Sequence, residues 1–374
     1  MGTPVRVLSL RELNRALLAR QLLLRRAPLS PANAIERLAG LQAQWSPAPY
    51  VGLWSRLTRF TIADLERALA ERTVVKATAM RGTLHLLSAG DYPHLSVALA
   101  AADARSASFI SAGRRIADVD RLHKSVLRFA RRARTREALA DFIGTQPGLP
   151  DVPPASLLWW LIAARGWLVH VPPSGTFGHR RSGDLIAASL WLRGIRTPSV
   201  AVAVQHVVRR HLGAFGPASI EDVSSWSSLR TPAIRAAIEQ LGAAVRPFAD
   251  ERGRALYDLA RAPRPPADSG APPRFLPKWD STLLAYVPAD RVRILAEAHR
   301  KVVIGKNGDV AQTFLVDGAV AGTWELALKR GEAILTLTPF GRLAKADRLA
   351  LVEEGERLAR FAMAEAKAHH VVAV

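Results

Sequence analysis

Two glutamines stand two residues apart in the run Leu41-Gln42-Ala43-Gln44-Trp45. A carboxamide has no acid or base form near neutral pH, so such a pair cannot serve as a general base; it offers fixed hydrogen-bond donors and acceptors. The run reads as the end of a helix that opens at Ser30-Pro31, with Ile35, Leu38 and Gln42 along one inward stripe until Pro47 and Pro49 stop it. An amide on a buried stripe needs partners, and a glutamine tying adjacent helices is the structural alternative to a functional one. Gln44 adds a geometric difficulty, because residues two apart on a helix face away from each other. Both amides share a pocket only if helical geometry fails near Ala43, which Pro47 would allow.

Other signatures of catalysis are missing. The chain has no Walker loop, no GxGxxG after a strand, no HExxH and no GxSxG. Its ten histidines show no ligand spacing, including His206 with His211 and the pair His369-His370. Neither a metal nor a cofactor is expected. Asp280, inside Phe275-Leu276-Pro277-Lys278-Trp279-Asp280, reads as a buried hydrogen-bond acceptor with a structural role.

At 374 residues the chain exceeds one ordinary core, and two to four modules are expected. A single small binding module is excluded. Arginine interrupts the apolar stretches too often for a membrane span, the first ten residues lack the apolar core of a signal peptide, and no cysteine is present. The expectation is a soluble, cytoplasmic protein. Fifty-two Lys and Arg against 32 Asp and Glu give a net charge of +20, read here as decorating folded surfaces that attract polyanions, nucleic acid first among them. Residues 121–136 hold seven basic residues and no acid, with Arg121, Lys124, Arg128, Arg131 and Arg132 at helical spacings.

The elements that must position these residues repeat in order. Ser9 with Glu12 caps a first helix bearing Leu13 and Leu17, the Ser30 helix follows, and residues 61–71 form a third with Ile62, Leu65 and Leu69 inward. Two short strands turning at Arg81-Gly82 complete a winged helix-turn-helix unit. A second copy runs through a helix opened by Thr135, a helix led by Pro153-Pro154 and bearing Leu157, Leu158 and Leu161, a strand at Trp167, Val169 and Val171, and a long wing loop over 172–184. The third is plainest: a helix over 199–212, a short helix capped by Ser219 and Asp222, a helix from Thr231-Pro232 to Gly242, then a hairpin. Five prolines mark 262–273 as a linker. Beyond it, Lys306-Asn307-Gly308 and Asp317-Gly318 punctuate apolar strands, and a helix over 343–368 closes a β-meander. The expected class is mainly α with small β wings: units at 1–113, 114–195 and 196–262, and a β-rich portion at 271–374.

Gly40-Leu41-Gln42-Ala43-Gln44-Trp45 leading to Pro49-Tyr50-Val51-Gly52-Leu53-Trp54, then Met80-Arg81-Gly82-Thr83-Leu84-His85, resembles the AlkZ/YcaQ-like winged-helix DNA glycosylases. Ala214-Phe215-Gly216-Pro217-Ala218 with Asp222 and Trp226, the Phe275 to Asp280 run through Arg291, Ile294 and Leu295, Val316-Asp317-Gly318, Ala321-Gly322-Thr323-Trp324 and Glu354-Gly355-Glu356-Arg357-Leu358 extend the likeness over nearly the whole chain. The resemblance implies three tandem winged units in a C shape and excision of alkylated purines from double-stranded DNA, with bulky natural-product adducts or interstrand crosslinks as further substrates. It also implies a catalytic signature of glutamine, hydrophobic residue, then glutamine or aspartate. Gln42 and Gln44 match its all-amide form, with the small Ala43 between them.

That chemistry suits amides. Alkylation at a purine ring nitrogen makes the leaving base cationic, so it departs without protonation, and two carbonyl dipoles can position water and favour the developing oxocarbenium. Gln44 is expected at the water. Arg81 and His85 are read as phosphate or pocket contacts, and Lys124, Arg128, Arg131, Arg132, Arg180 and Arg181 as phosphate contacts. The protein is expected to act as a monomer on the nucleoid, in base excision repair or self-resistance. The rival classes are a winged-helix transcriptional regulator or architectural protein, and a non-catalytic RNA-binding or damage-sensing protein. A regulator needs a polar recognition helix, whereas the third unit's helix offers Arg235 among Ala and Ile.

Overall fold

The capping box read from Ser9 and Glu12 forms in both directions and opens α1 (Leu10–Arg20), just after the short strand β1 (Val7–Leu8). The computed structural model describes residues 5–102, 119–147 and 155–373; the proposed boundary at 113/114 and the Pro153-Pro154 helix start lie outside the described residues. Ser30 caps α2 (Pro31–Arg37), which stops well short of Gln42, and the chain enters strand β2 (Leu41–Gln42). Pro47, expected as a stop, instead begins α3 (Pro47–Arg56), because a proline at the first helical position loses no hydrogen bond. Then come α4 (Ile62–Ala70), β3 (Val74–Thr78), β4 (Leu84–Ser88) and α5 (Tyr92–Ala101). The middle of the chain supplies α6 (Val119–Phe129), α7 (Arg136–Gly144, capped by Thr135), α8 (Ala155–Ala164), β5 (Leu168–His170), β6 (Leu185–Ala187) and the single turn α9 (Ala188–Trp191).

Next, α10 (Val200–Phe215), α11 (Ile220–Ser227) and α12 (Thr231–Leu241) lead into the hairpin β7 (Val245–Asp250) and β8 (Ala255–Leu259). The C-terminal portion contains β9 (Arg274–Leu276), the turn α13 (Arg300–Val303), β10 (Thr313–Val316), β11 (Ala319–Lys329), β12 (Glu332–Pro339) and α14 (Lys345–Ala362). The closing helix is shorter than expected. After it the chain returns as β13 (His369–Ala373), parallel to β12, so His369 and His370 are strand residues.

The architecture is mixed α/β, with more sheet than small wings would give. Among the described residues, the strands form sheets ordered β1-β7-β8, β13-β12-β11-β10-β9 and β2-β4-β3-β5-β6. In the last of these, β3 pairs with β5 through Lys76 and His170, which joins the first hairpin to the middle strands in one sheet. No helix of the described residues is long and apolar enough to cross a membrane.

Surface decoration does not account for all of the basic charge. Arg15, Arg20 and Arg56 are among the largest fully buried side chains. Arg20 forms a two-pronged bond to Asp258 at 2.6 and 2.8 Å, and Arg56 pairs with Asp280 at 2.9 Å. Asp280 also accepts from the Thr282 amide and hydroxyl, which fits the structural role read for it. Such pairs tie distant segments together, because a buried guanidinium deprived of its carboxylate is strongly unfavourable.

Candidate active site

The glutamine segment is set by a helix-to-strand reversal. Leu38 caps α2, then Ala39 and Gly40 take positive φ values of 59° and 91°, and the Gly40 amide bonds back to Ile35 at 2.9 Å. A Cβ on Gly40 would lie 2.8 Å from Leu87 and 3.3 Å from Met80, so only glycine fits. The chain leaves extended, with Leu41 opposite Leu86 and Gln42 opposite His85 on β4, and the Ala43 amide bonded to Leu84 at 2.7 Å. Side chains two apart on an extended strand share a face. Leu41 and Ala43 sink into one hydrophobic core and alternate with Gln42, buried on the strand, and Gln44, exposed in the bend that follows it. The difficulty posed by helical spacing is thereby removed.

Gln42 is buried and accepts from Arg81 Nη2 at 3.2 Å. Gln44 is exposed, and its Oε1 accepts from the Leu84 amide at 3.3 Å, replacing a main-chain acceptor where the β2–β4 ladder ends. Arg81 occupies the turn between β3 and β4 at φ 57°, followed by Gly82 at φ 69°. Its guanidinium is held down at about 10 by burial and by the neighbouring charge of Arg291, and Nη1 is buried without a partner.

Of the two roles expected of it, phosphate or pocket contact, His85 does not fit the first. It is wholly buried, bonds the Thr83 carbonyl through Nδ1 at 3.0 Å, and is pushed down to about 3 by burial and by Arg81. A neutral imidazole that does not border the cavity brings no charge to a phosphate. It flanks Gln42 on the same face instead.

A cavity of about 1060 Å³ opens beside the turn, lined by Arg81 and Gly82, by Trp160 of α8, and by Ser228, Arg230 and Thr231 where α11 passes to α12. Neither glutamine lines it. Arg81 bridges the two, touching Gln42 while bordering the cavity. Sequence reading gave no site role to Trp160, Arg230 or Arg291, although Arg291 stood in the run that carried the resemblance; the first two sit on elements that no local motif links to the glutamines.

Lys124, Arg128, Arg131 and Arg132 are exposed on α6 and just beyond it, opposite the buried Leu122 and Val126. Of the neighbouring basic residues, Arg134 lies over Phe129 at 4.5 Å and Arg136 over Trp159 at 5.8 Å, so both are engaged in packing. This stripe flanks β6, the edge of the sheet remote from β2. Arg180 and Arg181 are exposed in the 172–184 loop, and Arg180 bonds the Phe177 carbonyl. That loop is anchored close to the glutamines: Ser46 donates to His179 O and Tyr50 to Gly175 O. The structure thus brings Gln42, Gln44, Arg81 and the Arg180 loop to one end of the sheet and leaves the α6 stripe at the other. Among the described residues no group of three or more His, Asp or Glu could hold a metal ion.

The site orients and polarises through two neutral amides, and it stands beside a cationic turn in a mixed α/β chain of high basic charge. A family model described as DNA glycosylase AlkZ-like matches residues 35–361, and the chain belongs to that family. Over 355 residues it is 28% identical to an interstrand DNA cross-link repair glycosylase of Streptomyces sahachiroi, spanning 91% of this chain and 93% of that protein. The solved structure of Streptomyces sahachiroi DNA glycosylase AlkZ matches with a TM-score of 0.80 at 25% identity, covering 98% of this chain and 100% of that one. A DNA glycosylase of DNA repair, acting on a DNA partner, is the general function this membership carries.

Proposed function

We propose that the protein hydrolyses the N-glycosidic bond of cationic alkylated purines, N7-alkylguanine foremost, in duplex DNA. Bulky natural-product adducts and interstrand crosslinks extend the range, in base excision repair or self-resistance. It works as a monomer in the cytoplasm, on the nucleoid, through three winged-helix units (1–113, 114–195, 196–262) in a C shape and the β-rich portion 271–374.

Gln42 and Gln44 carry the chemistry. The alkylated base leaves neutral, taking the electron pair of the broken C–N bond. The sugar gains oxocarbenium character, and a water adds to it and loses a proton to solvent. Carbonyl dipoles aimed at the developing charge lower that barrier without proton transfer. Exposed Gln44 takes the water; buried Gln42, fixed by Arg81, lies behind it. The carrying observation is that two neutral amides flank Ala43 at the end of a strand, one buried on it and one exposed just past it, next to a turn that borders a cavity.

Purified protein incubated with duplexes carrying 7-methylguanine or a bulky guanine adduct is expected to yield free base and abasic DNA. Gln42→Ala and Gln44→Ala should each lower the single-turnover rate on the order of a hundredfold. A double variant that releases base at the parent rate removes the assignment.

A further inference from the structure

We propose that Arg81 couples docking of the DNA backbone to the glutamines: Nη2 holds the Gln42 carboxamide, and Nη1 receives a nonbridging oxygen of a phosphate next to the damaged nucleotide. The inference rests on the glycosylase reading and adds to it a positioning residue and a defined anion.

The first argument is unmet valence. The buried arginines Arg20 and Arg56 end on carboxylates, and Arg293 ends on the carbonyls of Asp290 and Pro217. Arg81 has no ion pair among the described residues, and its Nη1 is a buried donor without an acceptor. Arg81 as a whole is half-buried and borders the cavity, so a small movement of its side chain brings that unmet donor to an anion from outside.

The second is local charge. Arg291, half-buried and fixed by donating Nε to Tyr286 O at 3.2 Å, stands near enough to lower the Arg81 pKa by repulsion. Like charges gathered without an acid between them suit a phosphate.

The third is backbone. Arg81 and Gly82 are the central pair of a turn closed by Thr83 N to Met80 O at 3.2 Å, and both have positive φ. Asn or Gly is favoured at the first central position of such a turn, so an arginine there is held against local preference. A Cβ built on Gly82 would meet nothing within 4 Å, so the turn's outer side is open to a strand's backbone.

The chemistry explains the benefit. Alone, the Arg81 charge opposes both a cationic purine and an oxocarbenium. A phosphate on Nη1 cancels that charge once the strand is seated and leaves Nη2 holding Gln42. Arg81 acts through Gln42 and the phosphate, without touching the reacting atoms.

The test is single-turnover base release from 7-methylguanine duplexes that carry one uncharged methylphosphonate at each flanking position in turn. In the parent protein one position is expected to slow release ten- to hundredfold. Arg81→Gln should slow release on the natural backbone to a similar degree and show no further loss at that position; Arg81→Lys, which keeps a charge for the phosphate, should retain the sensitivity. Arg81→Asn, suited to the turn, checks by thermal unfolding that the loss is not misfolding. Losses that multiply in Arg81→Gln, or the lack of any sensitive position, overturn the proposal. If the parent protein releases no base, the glycosylase reading fails separately. The same duplex series read by affinity then decides: a position-specific loss present in the parent and gone in Arg81→Gln supports the contact, and no such position overturns it.

Discussion

His85 shows what burial does to a residue that the sequence presents as a phosphate or pocket contact. In Met80-Arg81-Gly82-Thr83-Leu84-His85 it follows an arginine on a hairpin, and nothing local marks which face it takes. Strand alternation places it inward opposite Gln42, where burial and the Arg81 charge keep it neutral down to about 3. His170 is likewise pushed down to about 3 and His211 to about 4, each chiefly by burial. In an unfolded chain all three protonate near pH 6.5. Between pH 6.5 and 4 the unfolded state therefore binds more protons than the folded state, and stability falls as pH falls. Asp222 works the other way: burial raises it to about 6, so from there down toward 4 the folded state holds the extra proton. These three histidines against Asp222 contribute a net of two protons, a slope of about 3 kcal/mol per pH unit near pH 5, and His94 and His123, also lowered by burial, act in the same direction. Urea midpoints at pH 7 and pH 5 check this, and equal midpoints would mean that the imidazoles take up protons inside the fold.

At the scale of elements, capping and turn chemistry were legible because they are local. The boxes at Ser9 and Ser219, the caps at Ser30 and Thr135, the Arg81-Gly82 turn and the Asp317-Gly318 hairpin all form where residue types placed them. The glutamine strand was misread because an apolar spacing of three and four carried the helix through Ala39-Gly40. The signal against it was Gly40 itself, a helix-terminating glycine whose φ of 91° turns the chain into β2. Pairing β3 with β5 and returning β13 beside β12 depend on contacts between distant segments, which local pattern does not encode. The reversal gives a sharp expectation. Gly40→Ala combines positive φ with contact on Leu87 and Met80, and should cost about 2–3 kcal/mol while misdirecting Gln42, so that base release drops along with the melting temperature. Gly82→Ala, at φ 69° but in open space, should cost only the backbone strain of about 1 kcal/mol. Calorimetry on the two variants separates these cases, and equal losses would show that space around Gly40 is not limiting.

Across the whole molecule, the sheet acts as a ruler between chemistry and electrostatics. Gln42 sits on β2 at one edge with Gln44 just beyond it, and the exposed Lys124, Arg128, Arg131 and Arg132 adjoin β6 at the other. Four interstrand steps separate those edges, about 19 Å at roughly 4.8 Å per step. Along B-DNA, with about 3.4 Å per base pair, that is about six base pairs from the damaged nucleotide. If the stripe meets phosphates, its contribution is one-sided in position and separable from the chemistry. Arg128→Glu with Arg131→Glu should weaken duplex binding at low salt and reduce the slope of log affinity against log salt by about 0.9 for each phosphate no longer neutralised, while the single-turnover rate at saturating protein stays at the parent value. The glutamine variants should do the reverse, keeping the slope and losing the rate. Duplex length supplies the directional check. Trimming one flank below about six base pairs should weaken the parent protein as the charge reversal does and leave the reversed variant unaffected, whereas trimming the other flank to the same length should cost less. Equal sensitivity to both flanks, or an unchanged salt slope in the reversed variant, would place the stripe away from the DNA.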